Sequence, residues 1–220
     1  MKNSSGEWIA FIDADEIADS KWLAELTKNA PNYDGILGSI NTLNPNQNYL
    51  TKYFDLSIQE RISFLKDKPK LKIFGTGNLL ISKKVFSEGV LFDNEFPTGE
   101  DGDFAYRFTK KGFKLGFNTN AKIYHRVPET IRQFYFFQKK MAFSNFLIFL
   151  KHKDSFTLMK LITTIFYHIS PKFLKMYKRN NLLSRKRYIL LGLTSLLIYL
   201  YCYLNPILLF KLKKKITRPK

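Results

Sequence analysis

The chain has 220 residues, 45% of them hydrophobic, and a formal net charge of +18, which suits one domain of ordinary size plus an appendage. The charge is uneven: residues 1–107 hold 12 Lys/Arg against 16 Asp/Glu, whereas residues 108–220 hold 24 Lys/Arg against only Glu129 and Asp154. Basicity set apart from the acidic half argues against a nucleic acid partner, and the single cysteine, Cys202, excludes a disulfide framework or a cysteine-based zinc site.

Met1 to Glu7 is polar and shows no signal-peptide pattern. The apolar run Trp8-Ile9-Ala10-Phe11-Ile12 reads as a buried strand, and Asp13-Ala14-Asp15 follows at once. Two carboxylates one residue apart, just past a strand end, can grip a divalent ion that holds a diphosphate. Ser20 is placed to cap a helix through about Asn29, with Trp22, Leu23 and Leu26 on its inner face. Asp34-Gly35 signals a turn before a strand at Ile36 to Ile40. Residues 41–72 carry a helical pattern around Leu56–Leu65 and a Lys-rich run from Lys66 to Lys72, a stretch suited to acceptor binding or to a surface loop. Phe74-Gly75-Thr76-Gly77-Asn78 leads into an apolar strand, its glycines reading in isolation as a tight turn, and Ser82 then caps a helix carrying Val85 and Phe86.

Past Pro97, Glu100-Asp101-Gly102-Asp103 opens a helical pattern that includes Phe104, Ala105 and Phe108 and stops at Gly112. Acidic residues at a helix start complement the macrodipole, but three carboxylates in four positions exceed what capping needs, and such a cluster can deprotonate an attacking hydroxyl. Lys114 to Phe117 and Ala121 to Tyr124 read as two short strands, with His125 just past the second, where it can meet the Asp13/Asp15 pair at one sheet edge. The basic, aromatic stretch Ile131 to Tyr177 suits a bilayer surface. Tyr188 to Phe210 runs 23 residues without a charge between Arg185-Lys186-Arg187 and Lys211-Leu212-Lys213-Lys214-Lys215. It is long enough to span a bilayer, the alternative being a buried core helix. Asn205-Pro206 would kink the span or make it re-entrant.

Four motifs in this order, Gly6 to Glu16 with its Asp13-Ala14-Asp15, Gly75-Thr76-Gly77-Asn78, Gly99 to Arg107 and Tyr124-His125-Arg126, resemble those of family 2 glycosyltransferases with the GT-A fold. The resemblance covers about residues 5–150. It implies an α/β protein with an incomplete GT-A (Rossmann-like) mixed sheet, and the basic and apolar patterns beyond it add amphipathic helices and a transmembrane helix. The expected divisions are a partial catalytic domain at 1–135, basic interfacial helices at 136–187, and a transmembrane segment with a basic tail at 188–220. By the same resemblance, Asp13 and Asp15 bind Mg²⁺ or Mn²⁺, His125 adds a metal contact as in some members, and Asp101 is the base with Glu100 beside it. Gly77, Asn78, Asp103 and Arg107 complete the donor side, Arg107 by orienting the acidic cluster. Gln138-Lys139-Lys140 lacks the Arg-Trp of the Q-x-x-R-W motif of processive members, so polymer synthesis is not implied.

The implied reaction is inverting transfer from a nucleotide-sugar or lipid-phosphate sugar donor to a hydroxyl, with a membrane lipid, lipid-linked saccharide or surface glycan as acceptor. The catalytic part is expected on the cytoplasmic face of a membrane, held by a single-pass or re-entrant segment. Family members place two or so βα units ahead of the D-x-D strand, and a βαβ unit takes at least about 30 residues. Asp13 lies twelve residues from Met1, so the expectation is an N-terminally truncated chain: a fragment, the product of a misplaced start or split gene, or a chain whose nucleotide-binding half a partner chain supplies. A membrane-bound subunit or scaffold without catalysis is the rival, and a two-metal nuclease or polymerase is disfavoured by the negative first half.

Overall fold

The structure is a computed structural model and describes residues 4–67, 74–152 and 185–204. The chain forms two compact units, one of Met1–Pro45, Ser57–Asp93 and Asp101–Val127, the other of Asn46–Leu56, Asn94–Glu100 and Pro128–Lys220. Its strands are β1 (Trp8–Ile12), β2 (Glu16–Ala18), β3 (Gly35–Thr42), β4 (Asn78–Ser82) and β5 (Leu115–His125). Its helices are α1 (Trp22–Thr27), α2 (Tyr49–Asp67), α3 (Lys83–Ser87), α4 (Glu100–Lys110), α5 (Ile131–His152) and α6 (Arg185–Leu204).

The strands make one mixed sheet in the order β1-β4-β3-β5-β2, parallel only between β3 and β5. This is the α/β mixed sheet expected of a GT-A-like fold. Strand β4, between β1 and β3, is buried on both faces, which is why Leu79-Leu80-Ile81 is a continuous apolar run rather than an alternating one. The two-residue period of a strand divides these side chains: Leu79 and Ile81 join Leu37, Phe74, Phe104 and Phe108 on one face, while Leu80 joins Ile36, Leu26 and Ala121 on the other. The first face is strongly aromatic, with Phe92 stacked on Phe104 at 4.6 Å between centroids and Phe74 edge-on to Phe108 at 5.4 Å.

Several local expectations change. Lys21, not Ser20, is the N-cap of α1, and it lacks a side-chain cap bond; Asp19 Oδ1 instead accepts from the Lys21 N–H at 3.0 Å. Helix α2 starts seven residues earlier than the apolar pattern indicates because Asn48 Oδ1 accepts from the N–H groups of Leu50 and Thr51, at 2.8 and 3.1 Å. Ser82 does cap α3, its hydroxyl accepting from the Lys84 N–H at 3.3 Å. The two short strands expected at 114–117 and 121–124 are one strand with a bulge: β5 pairs Asn118 with Gly38, then Lys122 with Ser39. Asn118 Oδ1 accepts from the Asn120 N–H at 2.9 Å, a local turn that lets the ladder skip.

In the second unit, Tyr53, Phe54, Phe134 and Phe137 form an edge-to-face cluster, with Phe54 and Phe137 centroids 5.1 Å apart. Helix α6 packs on α5 through Ala142, Ile198 and Tyr199, and Asn145 Nδ2 donates to the Tyr199 hydroxyl at 3.3 Å. Leu191, Ser195, Ile198 and Tyr199 are buried along one side of α6. The expected span is therefore helical through Leu204 and packed on one face, with residues 205–210 outside the described ones. Among the described residues no helix is long and apolar enough to cross a membrane. The expected interfacial stretch beyond His152 up to residue 184, and residues 68–73 of the Lys-rich run, also lie outside the described residues.

The bulge leaves carbonyls in the sheet interior without ladder partners, and Asn78 satisfies them. Its Nδ2 donates to Ser39 O at 3.0 Å and Ala121 O at 2.9 Å, and its Oδ1 accepts from Trp22 Nε1 at 2.8 Å. Gly38 makes room, since a Cβ there would lie 2.2 Å from Asn78 Nδ2. Asn78, expected at the donor, is thus committed to joining β4, β3, β5 and α1. Asn78→Ala leaves one buried N–H and two buried carbonyls unpaired, so it is expected to destabilise the fold by about 2–4 kcal/mol in denaturant unfolding. Trp22→Phe, which removes a single donor, should cost about 1 kcal/mol.

Candidate active site

Strands β1 and β2 lie at opposite edges of the sheet, yet only Asp13, Ala14 and Asp15 separate them. The short crossing is possible because β4 begins at Asn78, level with Ile12, so the chain can pass over the end of the sheet. The crossing is a tight turn closed twice: Glu16 N–H donates to Asp13 O at 3.1 Å, and Asp13 N–H donates to Glu16 Oε2 at 2.9 Å. Asp13 and Asp15 are left exposed at its tip. Below it lies Gly77, where a Cβ would sit 2.6 and 2.9 Å from the Glu16 carboxylate oxygens and 3.1 Å from Asp13 Oδ2. Gly77, read from the sequence as a donor contact, has a prior physical reason to be glycine: the acidic turn occupies its side-chain space.

Turning at Asp13 sends the chain into β2, which pairs antiparallel with the end of β5 and sets Glu16 directly opposite His125. Glu16 Oε1 lies 3.7 Å from His125 Nδ1. The Glu16 side chain is 3% exposed and that of His125 27%. His125 Nδ1 is itself buried and has no hydrogen-bond partner among the described residues. The residue that the three-residue β2, too short for sequence periodicity to register, sets against His125 is Glu16. Glu16 was missed as a site residue for the same reason; the signal available was the third acidic residue directly after Asp13-Ala14-Asp15.

The base candidate approaches from the other end of the same glycine segment. Asp101 Oδ1 accepts from the Gly102 N–H at 2.7 Å, and a Cβ on Gly75 would lie 3.2 Å from Asp101 Oδ2. Gly75 and Gly77 are at most about 7 Å apart along the chain. Gly75-Thr76-Gly77 therefore carries Asp101 against one glycine and Asp13 with Glu16 against the other. Glu100 is exposed at the first position of α4. Asp103 and Arg107, expected on the donor side, are bonded to each other: Asp103 is fully buried and accepts from Arg107 Nε at 2.9 Å and Nη2 at 2.6 Å. Arg107 also donates to Leu91 O, holding the segment after α3 onto α4.

Among the described residues no group of three His, Cys, Asp or Glu side chains is arranged to hold a metal ion. Mg²⁺ and similar hard cations, however, are usually bound through one or two carboxylates plus substrate phosphates rather than by an all-protein cage. Two exposed carboxylates on a fixed turn are such a donor set, so Asp13 and Asp15 fit an ion completed by phosphate oxygens.

Burial pushes the Glu16 carboxyl from its ordinary 4.5 up to about 7, the neighbouring charges of Asp13 and Asp15 add to the rise, and the Asp13 N–H opposes it. Between those two values the folded chain holds a proton that the unfolded chain has lost. Stability of the metal-free protein should therefore fall as pH rises from about 4.5 to about 7 and level off above. Glu16→Gln should flatten that portion of the curve, as measured by denaturant midpoints at pH 5, 6, 7 and 8.

The chain matches the family model described as glycosyl transferase family group 2 over residues 8–212. No curated protein matches it. With a match of that extent laid over a mixed α/β sheet whose end gathers the D-x-D turn, the glycine segment and Asp101, the chain belongs to glycosyl transferase family group 2, transferases that take a nucleotide-sugar donor and an acceptor.

Proposed function

We propose that the chain moves a sugar from a nucleotide-sugar donor to a hydroxyl group with inversion at the anomeric carbon. The observation that carries this is the glycine segment flanked by Asp101 at Gly75 and by the acidic turn at Gly77. In this assignment Asp13 and Asp15 hold the donor's diphosphate end through Mg²⁺ or Mn²⁺, which when bound neutralises the leaving group. Asp101 takes the proton from the acceptor hydroxyl as its oxygen forms a bond to the anomeric carbon. The bond from that carbon to the diphosphate breaks on the opposite side, and its electron pair leaves with the diphosphate. Gly75 and Gly77 allow both carboxylate groups to approach one substrate without intervening side chains.

A lipid-linked acceptor is supported by the free side of α6. Leu190, Leu193, Leu197 and Tyr201 form an exposed stripe, with Leu190 63% and Leu197 65% exposed. In sequence it lies among the 24 Lys/Arg of residues 108–220. Apolar exposure beside positive charge suits an anionic lipid surface.

Three carboxylates separate by role when donor affinity and transfer rate are measured over a panel of nucleotide sugars. Asp15→Asn is expected to abolish metal-dependent donor binding. Asp101→Asn should keep donor affinity and lose about 10²–10⁴-fold in turnover. Asp103→Asn, which leaves Arg107 without its buried partner, should instead lower stability by about 3–5 kcal/mol; full turnover in Asp101→Asn would overturn the base assignment. For the acceptor side, Leu193→Glu with Leu197→Glu should weaken sedimentation with anionic vesicles by roughly tenfold or more. Unchanged sedimentation would remove α6 from lipid contact.

A further inference from the structure

We infer that Glu16 is a positioning residue: one buried carboxylate pins the backbone of the Asp13 turn and orients the His125 ring so that Nδ1 carries the proton and Nε2 presents its lone pair. The inference concerns the site proposed above and rests on that reading for its link to the metal. Its basis is the convergence of three segments distant in sequence, 13–16, 77 and 125, on a single side chain. Glu16 Oε2 is occupied by the Asp13 N–H at 2.9 Å, which leaves Oε1 as the oxygen facing His125 Nδ1 at 3.7 Å. The cross-strand pairing of Glu16 with His125 fixes that approach through the backbone, so it does not depend on a chance rotamer.

A carboxylate oxygen and an unprotonated imidazole nitrogen repel each other through their lone pairs. A protonated Nδ1 converts the same contact into attraction. Such bonds are commonly long in ligand-free sites and tighten on binding. With Nδ1 protonated, Nε2 is left as the ligating or accepting nitrogen, the arrangement by which an outer carboxylate raises the basicity of a metal-bound histidine. Gly77 belongs to the same device, because an added methyl would fall 2.6–2.9 Å from the Glu16 oxygens. What it meets are the movable ends of two side chains, Glu16 first and Asp13 at 3.1 Å, rather than backbone, so the fold can yield there while the Glu16 carboxylate is displaced.

The test uses the full chain with ¹⁵N-labelled histidine at pH 8.5, where the tautomers of neutral imidazole are distinguished by long-range nitrogen–proton couplings. His125→Asn identifies the signal among the three histidines. Wild type is expected to show His125 as the Nδ1–H form. Glu16→Met, similar in volume but without an acceptor, and Gly77→Ala, which keeps Glu16 but displaces it, should both shift the population toward Nε2–H. Both should also weaken Mn²⁺ binding, read by electron paramagnetic resonance with inorganic pyrophosphate supplying the phosphate oxygens, by about 10–100-fold. If Glu16→Met fails to fold, Gly77→Ala decides alone. An Nε2–H form in wild type, or a tautomer unchanged in the folded variants, overturns the inference. Absence of Mn²⁺ binding in wild type would overturn the metal reading of Asp13 and Asp15 instead, with the tautomer result still deciding the role of Glu16.

Discussion

A carboxylate buried beneath a backbone that has no side chain sets the geometry of the acidic end of this sheet. Glu16 must be accommodated where β1 turns into β2 within three residues, and its carboxylate lies against Gly77. The crossing forces Asp13 and Asp15 outward, because their turn is closed by hydrogen bonds on its inner side. A solvated surface loop would leave Glu16 near its ordinary pKa of 4.5; here it is raised to about 7. The fold thus tolerates a group whose charged form it disfavours, which is the kind of local conflict that marks functional sites.

The remainder of the sheet makes that conflict affordable by satisfying its own polar groups. Asn78 ties the β5 bulge to β4 and to Trp22 of α1. The Asp103–Arg107 pair does the equivalent on α4, anchoring the start of the helix that carries Asp101 while the aromatic layer of Phe92, Phe104 and Phe108 packs beneath. Buried ion pairs contribute little net stability but cost several kcal/mol when broken on one side. Here the pair, with the Arg107 bond to Leu91 O, ties the segment after α3 to α4.

What the sequence disclosed depended on how long each signal ran. The apolar strand 8–12, the double-sided β4 and helix α4 were legible because four or more residues carried one period. The three-residue β2 offered no period at all, and with it went the role of Glu16. The β5 bulge split one strand into two apparent ones because the polar Asn118-Thr119-Asn120 interrupts the apolar pattern where pairing skips. Asn78 enters the donor set through the family resemblance, whereas its bonds to Ser39 O and Ala121 O are visible only in three dimensions. Asp103 and Arg107 were legible as a pair at helical spacing but not as a buried one, since burial depends on Leu91 and the packing of a distant segment.

The same electrostatics bear on how a donor is held. In the assignment proposed above, a diphosphate brought to this end of the sheet would meet the exposed carboxylates of Asp13 and Asp15. Coulomb repulsion between like charges 4 Å apart is about 4 kcal/mol at the effective dielectric of a protein surface. In that assignment, a divalent ion held by the exposed Asp13 and Asp15 would supply the counter-charge. Glu16 sits behind them, too enclosed to take part in that solvated contact, and so is left with the two neighbours the backbone gives it: the Asp13 amide and the imidazole of His125.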